Sequence, residues 1–537
     1  MVMCERVLFA AALAAASFLV PAAAGAADVG QQAIATAVDE TVARYHLPGI
    51  AVGVVEDGRV TAVETRGELV AGGGESIDRD TIFKIASNTK AMTTALLARL
   101  VDAGKLAWDD PVVKHLPGFR MHDPWVTREI QVRDLVIHNS GLGAGAGDLM
   151  LWPEPNLFTR ADVIAGLAHL VPETSFRSRY AYDNTLYIVA GEVAAAAGGA
   201  PYDELMRREV FAPLGLDRCR VGEWRIDATG NVAQPHMRVD GRNVAIREDG
   251  EVVPDVPMAA AGGIRCSLDD MLQWARMWLA PESVGLVDGE PWLSQAQREA
   301  VWTTHTPMPL SRRMRAWDNS HFSAYGYGWR LTDVDGTWKV SHTGTLSGMY
   351  SALTLLPEKD AGFVILINGN ADEARAVLTQ VLVKHFTAPG AGHDVAHYAG
   401  LLAEERKRHA DDAASAPDTD SAASAIARTA VAAAEGERWT GRWRDPWFGE
   451  VSICPAGDGI RFEAARSPKL AGRVMRAGPR LLVDWDDADV DAEAWLDVDT
   501  DGAAPARLTM AKVDPEADFS YDYEDLAFVR TGDCLRR

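Results

Sequence analysis

Cysteine is scarce in this chain, which has five cysteines in 537 residues. A small fold held together by disulfides would need a much higher density, and no cysteine pair has the close spacing of metal ligands. Four cysteines follow residue 27: Cys219, Cys266, Cys454 and Cys534. The pairs 219–266 and 454–534 each fall within one proposed domain, so these are the disulfides to test. Buried free thiols are the alternative.

Positive charge is also in short supply. The chain has 53 lysines and arginines against 76 aspartates and glutamates, and its formal net charge is −23. Nucleic acids and anionic membranes are bound through basic patches, so we expect neither as a partner. The expected partner is a small-molecule or peptide substrate.

The apolar stretch from Val7 to Val20 is too short for a comfortable membrane span. It follows the basic Arg6 and precedes the small residues Ala24-Gly25-Ala26, an order typical of a cleaved secretory signal over residues 1–27. We therefore expect an exported protein, periplasmic or secreted, without an integral membrane segment after cleavage.

The length of the chain predicts more than one domain. Residues 389–437 are rich in alanine and charge and are interpreted as a partly helical linker. Residues 438–537 contain short alternating runs at regular spacing, which predict a small β-barrel or sandwich; the antiparallel barrel is the expected form. Residues 28–388 form the main domain, where a hairpin, Ile50 to Val55 and Val60 to Thr65, precedes a helix. The expected fold class is α/β of the α+β type, an antiparallel sheet flanked by helices.

The middle of the main domain contains an irregular segment. Ile130 to Leu142 is predicted to be a helix that stops at Gly141, and the glycine-rich run 143–153 is expected to form a lid or pocket wall. His138 lies near the end of that helix. We interpret it as a structural, hydrogen-bonded histidine, with a catalytic role as the alternative.

Ser87 and Lys90 form the only Ser-x-x-Lys sequence in the chain. Apolar residues recur after it at helical spacing, so both side chains are expected on one face at the start of a buried helix. A serine hydroxyl needs a base to become a nucleophile, and a desolvated lysine can supply one. Unpaired N–H groups at the helix start would favour negative charge on a substrate oxygen. The alternative is a capping serine with a solvated lysine.

Two further elements place reactive side chains near turns or strand ends. Tyr182 and Asn184 stand two residues apart before a helix, where both can project into one cleft; a core tyrosine and a capping asparagine are the alternative. His342-Thr343-Gly344 lies in a predicted strand, where the glycine would let a substrate lie against the backbone.

In this order, Ser87-x-x-Lys90, Tyr182-x-Asn184 and His342-Thr343-Gly344 resemble the motifs of the serine β-lactamase and penicillin-binding-protein superfamily. The similarity is greatest to the branch of class C β-lactamases, D-aminopeptidases and related esterases. It spans roughly residues 31–387, and the tail around Trp443 and 518–522 is similar to the lipocalin-like domain fused to some of these hydrolases.

The resemblance implies that Ser87 attacks a carbonyl carbon and becomes acylated, with no metal or organic cofactor. Lys90 and Tyr182 would share the proton transfers, and either of them could be the base. Asn184 would orient the substrate amide or Lys90. Backbone N–H groups of Ser87 and Thr345 would form an oxyanion hole.

The resemblance also implies that His342 takes part in catalysis and that Gly344 contacts the substrate. His342 stands where penicillin-recognising members commonly have lysine, and a histidine is only partly charged near neutral pH. Asp183 replaces a commoner serine, and we interpret its charge as favouring a substrate amine.

These motifs predict an exported serine hydrolase that acts on an ester or amide, similar to D-aminopeptidases and carboxylesterases, through an acyl-serine intermediate. A β-lactamase or DD-peptidase is the alternative within enzymes. An inactive peptidoglycan- or peptide-binding protein is the alternative from another class. An oligomer is compatible with the sequence.

Overall fold

The computed structural model describes residues 23–246, 248–415, 427–436, 439–499 and 507–535. The predicted signal, residues 1–27, lies outside the described residues except for its last five, which begin the helix Ala23–Tyr45. None of the helices in the described ranges is long and apolar enough to cross a membrane.

An antiparallel sheet organises the first domain. Within the described residues it has eight strands, which follow one another across the sheet as Thr306–Pro307, Ser323–Tyr325, Arg330–Val334, Thr337–Leu346, Met349–Leu356, Ala361–Ile367, Gly49–Glu56 and Arg59–Gly67. The predicted hairpin is present as the last two strands, with Val52 opposite Glu64. The first strand of this hairpin, Gly49–Glu56, also pairs with the strand Ala361–Ile367, where Ile50 lies opposite Ile367.

Helices cover both faces of this sheet. On one face, Val52 is buried beneath the helices Ala23–Tyr45 and Asp372–Thr387. On the other face, a Cβ added at Gly53 would lie 2.5 Å from a methyl carbon of Leu272 in the helix Leu268–Leu279. The alternation of side chains along a strand therefore presents one set of residues to each helix layer.

The remaining helices and short strands surround the sheet. The α-helices are Thr89–Asp102, Val112–His115, Pro124–Glu129, Arg160–Gly166, Thr185–Gly198, Tyr202–Leu205, Ala212–Leu214, Ala259–Gly262, Gln295–Val301, Arg312–Trp317 and Val395–Ser415. Met206–Phe211 is a π-helical turn. Short strands pair as Ile82–Lys84 with Arg265–Ser267, Trp224–Arg225 with Val252–Val253, His236–Val239 with Arg242–Ala245, and Leu286–Val287 with Glu290–Pro291.

The predicted helix from Ile130 to Leu142 is wrong. The structure has only a 3-10 turn, Val132–Val136, in this segment. The backbone then reverses through left-handed conformations at His138, with φ of 58°, and at Gly141, with φ of 90°. A continuous helix cannot contain such residues, so the apolar spacing here reflects burial of an irregular loop.

The predicted linker, residues 389–437, begins as a packed element. Val395–Ser415 is a helix, and its residues Val395, Tyr398 and Leu402 are buried in the outer core of the first domain. The helical content was predicted, but its docking was not. The centre of the predicted linker, residues 416–426, lies outside the described residues.

The C-terminal part is a closed antiparallel barrel, as predicted. Its eight strands within the described ranges are Gly441–Asp445, Gly449–Ala456, Gly459–Ala464, Ala471–Ala477, Arg480–Trp485, Ala494–Asp499, Arg507–Lys512 and Ala527–Gly532. Pairing of the fourth strand with the fifth closes the ring, and Arg428–Ala430 adds to the edge of the fourth. The expected fold class is confirmed.

Each domain contains one of the proposed disulfides. Cys219 is bonded to Cys266, and Cys454 is bonded to Cys534. The alternative of buried free thiols is therefore excluded for these four residues. Disulfides of this kind form and persist in oxidising compartments.

Candidate active site

Ser87 lies on a tight turn just before a buried helix. The turn is the 3-10 segment Ala86–Asn88, and Thr89–Asp102 continues from it as an α-helix. Ala86 has a left-handed backbone with φ of 48°, a conformation that costs free energy in any residue with a side chain. The strained turn projects the half-buried Ser87 towards a large cavity.

Gly344 is required because the serine turn lies directly against its strand. A Cβ at position 344 would be 2.2 Å from the carbonyl oxygen of Ile85 and 2.9 Å from Cβ of Ala86. The hydroxyl of Ser351, on the neighbouring strand, donates a 2.7 Å hydrogen bond to the same carbonyl. Close packing of the turn therefore requires a glycine here, and the predicted contact of Gly344 with a substrate stays a prediction.

Lys90 is fully buried one helical turn after Ser87. Its Nζ donates to Asn184 Oδ1 at 2.7 Å and to the carbonyl of Ala261 at 2.9 Å, and it lies 3.1 Å from Ser87 Oγ. In a neutral amine, the two hydrogens can occupy these two acceptors. The nitrogen lone pair is then left to accept the proton of Ser87.

The surroundings of Lys90 favour this neutral form. Burial lowers the pKa of Lys90 to about 7, because a charged amine loses its hydration there. The carboxylates of Asp148 and Asp183 partly oppose this shift, since they stabilise the ammonium. A substantial fraction of Lys90 is therefore unprotonated near neutral pH.

Tyr182 also reaches the serine. Its phenol lies near the Ser87 side chain, which partly opposes the rise in the pKa of the phenol, and Lys90 Nζ lies 4.8 Å from the centre of its ring. Burial raises the pKa of Tyr182 to about 12, so the phenol keeps its proton near neutral pH. Of the two candidate bases, Lys90 therefore has the pKa suited to accepting a proton, and Tyr182 is suited to donating one.

Asn184 joins Lys90 to a buried acid. It occupies the residue before the helix Thr185–Gly198, but its side chain makes no capping hydrogen bond. Its amide nitrogen instead donates to Asp148 Oδ2 at 2.8 Å, while its amide oxygen accepts from Lys90. The structure thus places Asn184 beside Lys90, rather than as the capping residue of the alternative interpretation.

His342 lies behind the site. Its Nδ1 is 2.7 Å from the carbonyl of Thr343, and its Nε2 is 2.9 Å from the hydroxyl of Tyr325. Burial keeps the pKa of this imidazole well below its usual value, so the ring is neutral. Both nitrogens are engaged within the protein, and it is Thr343 and Thr345 that line the cavity. The geometry therefore does not bring His342 to the reacting atoms as the resemblance implied.

His138 and Asp183 have structural contacts. The backbone N–H of Asp183 donates to His138 Nδ1 at 3.0 Å, and the imidazole packs against the ring of Tyr182. The Asp183 carboxylate accepts from the backbone N–H of Leu186 at the start of a helix and from the hydroxyl of Ser140. Because this carboxylate is buried and turned inward, the interpretation of Asp183 as a binding group for a substrate amine is wrong.

The cavity beside Ser87 has a volume of about 990 Å³ and is lined by both domains. From the first domain come Ser87, Tyr182, Asn184, Arg330, Thr343, Thr345 and, in the predicted pocket wall, Ala144, Trp152 and Pro153. From the barrel come Lys469, Asp489, Asp491, Lys512 and the segment 518–521. The sequence did not predict a role for Arg330, Asp148 or any barrel residue. The one local signal was that Asp148 is an acidic residue within the glycine-rich run 143–153.

A serine and a lysine from one segment and a tyrosine and an asparagine from another thus meet beside one cavity. The sequence pattern of the beta-lactamase family matches residues 34–385, more than half of the chain. The chain belongs to the beta-lactamase family. It is a serine hydrolase by that membership, of the β-lactamase and penicillin-binding-protein type.

Curated relatives in this family include hydrolases and a penicillin-binding protein. Penicillin-binding protein 4 of Amycolatopsis lactamdurans is 28% identical over 330 residues, which cover 60% of this chain and 82% of that protein. Unguisins hydrolase ungD' of Aspergillus campestris is 26% identical, over 66% of this chain and 64% of that protein. The D-alanyl-D-alanine-carboxypeptidase/endopeptidase AmpH of Escherichia coli K12 is 23% identical, over 58% of this chain and 78% of that protein.

A solved structure has a similar fold. The octameric penicillin-binding protein homologue from Pyrococcus abyssi aligns with a TM-score of 0.57 and 17% identity. The alignment covers 94% of this chain and 100% of the homologue. At this level of identity the likeness concerns the fold.

The pH dependence of acylation should follow Lys90. Since the base must be unprotonated, kcat/KM is expected to rise with pH through an acid limb near pH 7, the value to which burial lowers the pKa of Lys90. Steady-state assays between about pH 5 and pH 11 would measure it. A limb near pH 10, the ordinary pKa of a lysine, would contradict this assignment.

Gly344→Ala should disrupt the serine turn. The added methyl group would overlap the Ile85 carbonyl, and we expect a loss of about 3 kcal/mol in the free energy of unfolding together with loss of acylation. Gly118→Ala is the matched control, because a Cβ there meets no atom within 4 Å. Urea denaturation of both variants would measure the difference, and equal stability of the two would contradict the proposed contact.

Proposed function

We propose that this protein is an exported hydrolase that cleaves an amide or ester through a covalent acyl-Ser87 intermediate. The observation that carries the proposal is the position of Lys90, a buried amine 3.1 Å from Ser87 Oγ with two neutral oxygen acceptors for its hydrogens. An inactive binding protein would have no need to maintain this costly burial of a lysine.

The proposed acylation begins with transfer of the Ser87 proton to Lys90. Ser87 Oγ forms a bond to the substrate carbonyl carbon, and the carbonyl oxygen takes the negative charge, stabilised by the backbone N–H groups of Ser87 and Thr345. The bond to the leaving amine or alcohol then breaks as Tyr182 gives its proton to the leaving group. Lys90 returns a proton to Tyr182, and a water molecule hydrolyses the acyl-enzyme by the reverse sequence of transfers.

The acyl-enzyme predicts covalent labelling at Ser87. A fluorophosphonate probe should label the wild-type protein, and Ser87→Ala should abolish labelling because the acylated oxygen is gone. Lys90→Met should slow labelling by at least about a hundredfold, the usual lower contribution of a general base. Intact-protein mass spectrometry would measure the adduct.

Ser452→Ala, at a half-buried serine in the barrel strand Gly449–Ala456, is the matched control and should label at the wild-type rate. Absence of labelling in the wild-type protein would favour the inactive binding protein. A substrate set of nitrocefin, short-chain nitrophenyl esters, D-amino-acid nitroanilides and D-alanyl-D-alanine peptides would then rank the classes of substrate.

Arg330 favours a substrate that carries a carboxylate. Its guanidinium lines the cavity near the phenol of Tyr180, and among the described residues it has no ion pair and its Nε has no hydrogen-bond partner. A carboxylate is the natural partner of a guanidinium. This supports the second candidate function, a carboxypeptidase, which is also the activity in the printed name of the Escherichia coli relative.

The barrel side of the cavity favours the first candidate, a D-aminopeptidase-like or esterase-like hydrolase. Asp491 and Asp518 lie together on this wall, and burial together with the nearby Asp518 raises the pKa of Asp491. A substrate ammonium group bound there would relieve the repulsion between the two carboxyl groups. The two candidates therefore place opposite charges of the substrate against residues from different domains.

Arg330→Met separates the two candidates. If Arg330 binds a carboxylate, this variant should raise KM for D-alanyl-D-alanine peptides by about tenfold or more, since a charge-assisted hydrogen bond is lost, and should leave KM for neutral esters unchanged. Arg330→Lys, which keeps the charge, should show a smaller increase. An equal rise of KM for esters and peptides would contradict carboxylate binding.

Export and assembly are also proposals. The predicted signal and the two disulfides support a periplasmic or secreted location, and N-terminal sequencing of the mature chain would show whether residues 1–27 are removed. An oligomer is supported by the octameric homologue from Pyrococcus abyssi.

A further inference from the structure

The barrel reaches into the first domain through a carboxylate. Asp522 Oδ2 accepts a 2.6 Å hydrogen bond from the backbone N–H of Gly147, and Oδ1 accepts a 3.0 Å bond from Leu149. These two residues flank Asp148, so the barrel fixes the backbone on both sides of this one residue.

The barrel also bonds the side chain of Asp148. Its Oδ2 accepts from the hydroxyl of Ser520 at 2.9 Å and from the amide nitrogen of Asn184 at 2.8 Å. Asp148 has no exposed surface. A continuous series of hydrogen bonds therefore runs from Ser520 through Asp148 and Asn184 to Lys90.

The chemistry of these groups gives the series a direction. The side-chain amide of Asn184 has a donor, its nitrogen, and an acceptor, its oxygen. Lys90 Nζ donates its hydrogen bond to Asn184, so the amide oxygen must face Lys90. The Oδ2 atom of Asp148 is an acceptor, so it takes the donor end and leaves the oxygen facing Lys90. In the reverse orientation, donors would face donors at Lys90, and two acceptors would meet at Asp148.

We propose that Asp148 is a positioning residue through which Ser520 of the barrel holds the Asn184 amide in the orientation that Lys90 requires. The inference rests on the proposed function, since it concerns the geometry of the base. Asp148 touches neither the substrate nor Ser87, and it acts through Asn184.

The protonation of Asp148 is compatible with this role. Burial holds the pKa of this carboxyl well above its usual value, and the neighbouring Asp522 is shifted in the same direction. Among the described residues Oδ1 of Asp148 has no hydrogen-bond partner. A proton on Oδ1 leaves Oδ2 as an acceptor, so the orientation of Asn184 is the same in both protonation states.

A second contact brings the same barrel segment to Tyr182. The ring of Phe519 meets the ring of Tyr182 edge to face, with centroids 5.5 Å apart and an interplanar angle of 67°. A Cβ at Gly145 would lie 2.5 Å from the carbonyl oxygen of Phe519, so the two backbones are in close contact. The segment 518–522 therefore contacts Tyr182 directly and is connected to Lys90 through Asp148 and Asn184.

The test compares Asp148→Ala, Asp148→Asn, Ser520→Ala and the double variant Asp148→Ala/Ser520→Ala in the full chain. The readouts are the rate of fluorophosphonate labelling, kcat/KM for the best substrate of the set above, and the melting temperature. Ser452→Ala is the matched control in the barrel. The double variant measures whether Ser520 acts through Asp148.

We expect Asp148→Ala to lower the labelling rate at least about tenfold and Ser520→Ala by a smaller factor, with KM nearly unchanged in both. Asp148→Asn should recover much of the loss, because its amide oxygen can still accept from Asn184 and Ser520. The double variant should label no more slowly than Asp148→Ala.

Multiplicative losses in the double variant, or labelling of Asp148→Ala at the wild-type rate, would overturn the inference. So would losses that follow only the melting temperature without recovery in Asp148→Asn. If Asp148→Ala does not fold, the labelling rates of Ser520→Ala, Asp148→Asn and the control Ser452→Ala are compared instead. Labelling of Ser520→Ala at the rate of the control would overturn the inference. Absence of labelling in the wild-type protein would instead overturn the proposed function.

Discussion

The burial of Lys90 is the constraint on which the rest of the site depends. The hydrogen-bond acceptors of its Nζ are the uncharged oxygens of Asn184 and Ala261, while the nearest carboxylates act from a distance. A buried ammonium is costly unless a charged partner lies next to it, so the uncharged amine is favoured. The protein thereby obtains a base with a pKa of about 7 from a residue whose ordinary pKa is about 10.5.

The sheet makes this arrangement rigid. The serine turn lies against the strand Thr337–Leu346, and Ser351 on the next strand holds the carbonyl of Ile85. The position of Ser87 is therefore set by backbone contacts, while that of Lys90 is set by the hydrogen bonds that its Nζ donates to Asn184 and Ala261. Small errors in either set would change the distance between Oγ and Nζ, on which proton transfer depends.

Elements with a strong local pattern were predictable from the sequence. The hairpin at Ile50 to Thr65 follows from alternation and a turn, and the order of the three motifs pointed to the convergence of Ser87, Lys90, Tyr182 and Asn184. The local pattern gave a wrong prediction at Ile130 to Leu142. The loop there is buried, so its apolar residues are spaced as in a helix. The roles of the converging residues remain predictions.

The placement of His342 shows what residue type alone leaves out. Successive side chains of a strand point to opposite faces, so His342 and Thr343 cannot both face one cavity. The resemblance implied a catalytic role for the histidine. In the structure Thr343 and Thr345 line the cavity, and the imidazole of His342 is hydrogen-bonded to the hydroxyl of Tyr325.

The contribution of the barrel had no local signal at all. Ser520 and Asp148 are 372 positions apart, and no sequence pattern in either segment predicts that the two residues are in contact. Yet the same barrel segment lines the cavity wall and supports the residue that orients Asn184. A substitution in this segment made to alter substrate preference would therefore also disturb Lys90, so selectivity and the strength of the base cannot be varied independently at this domain contact.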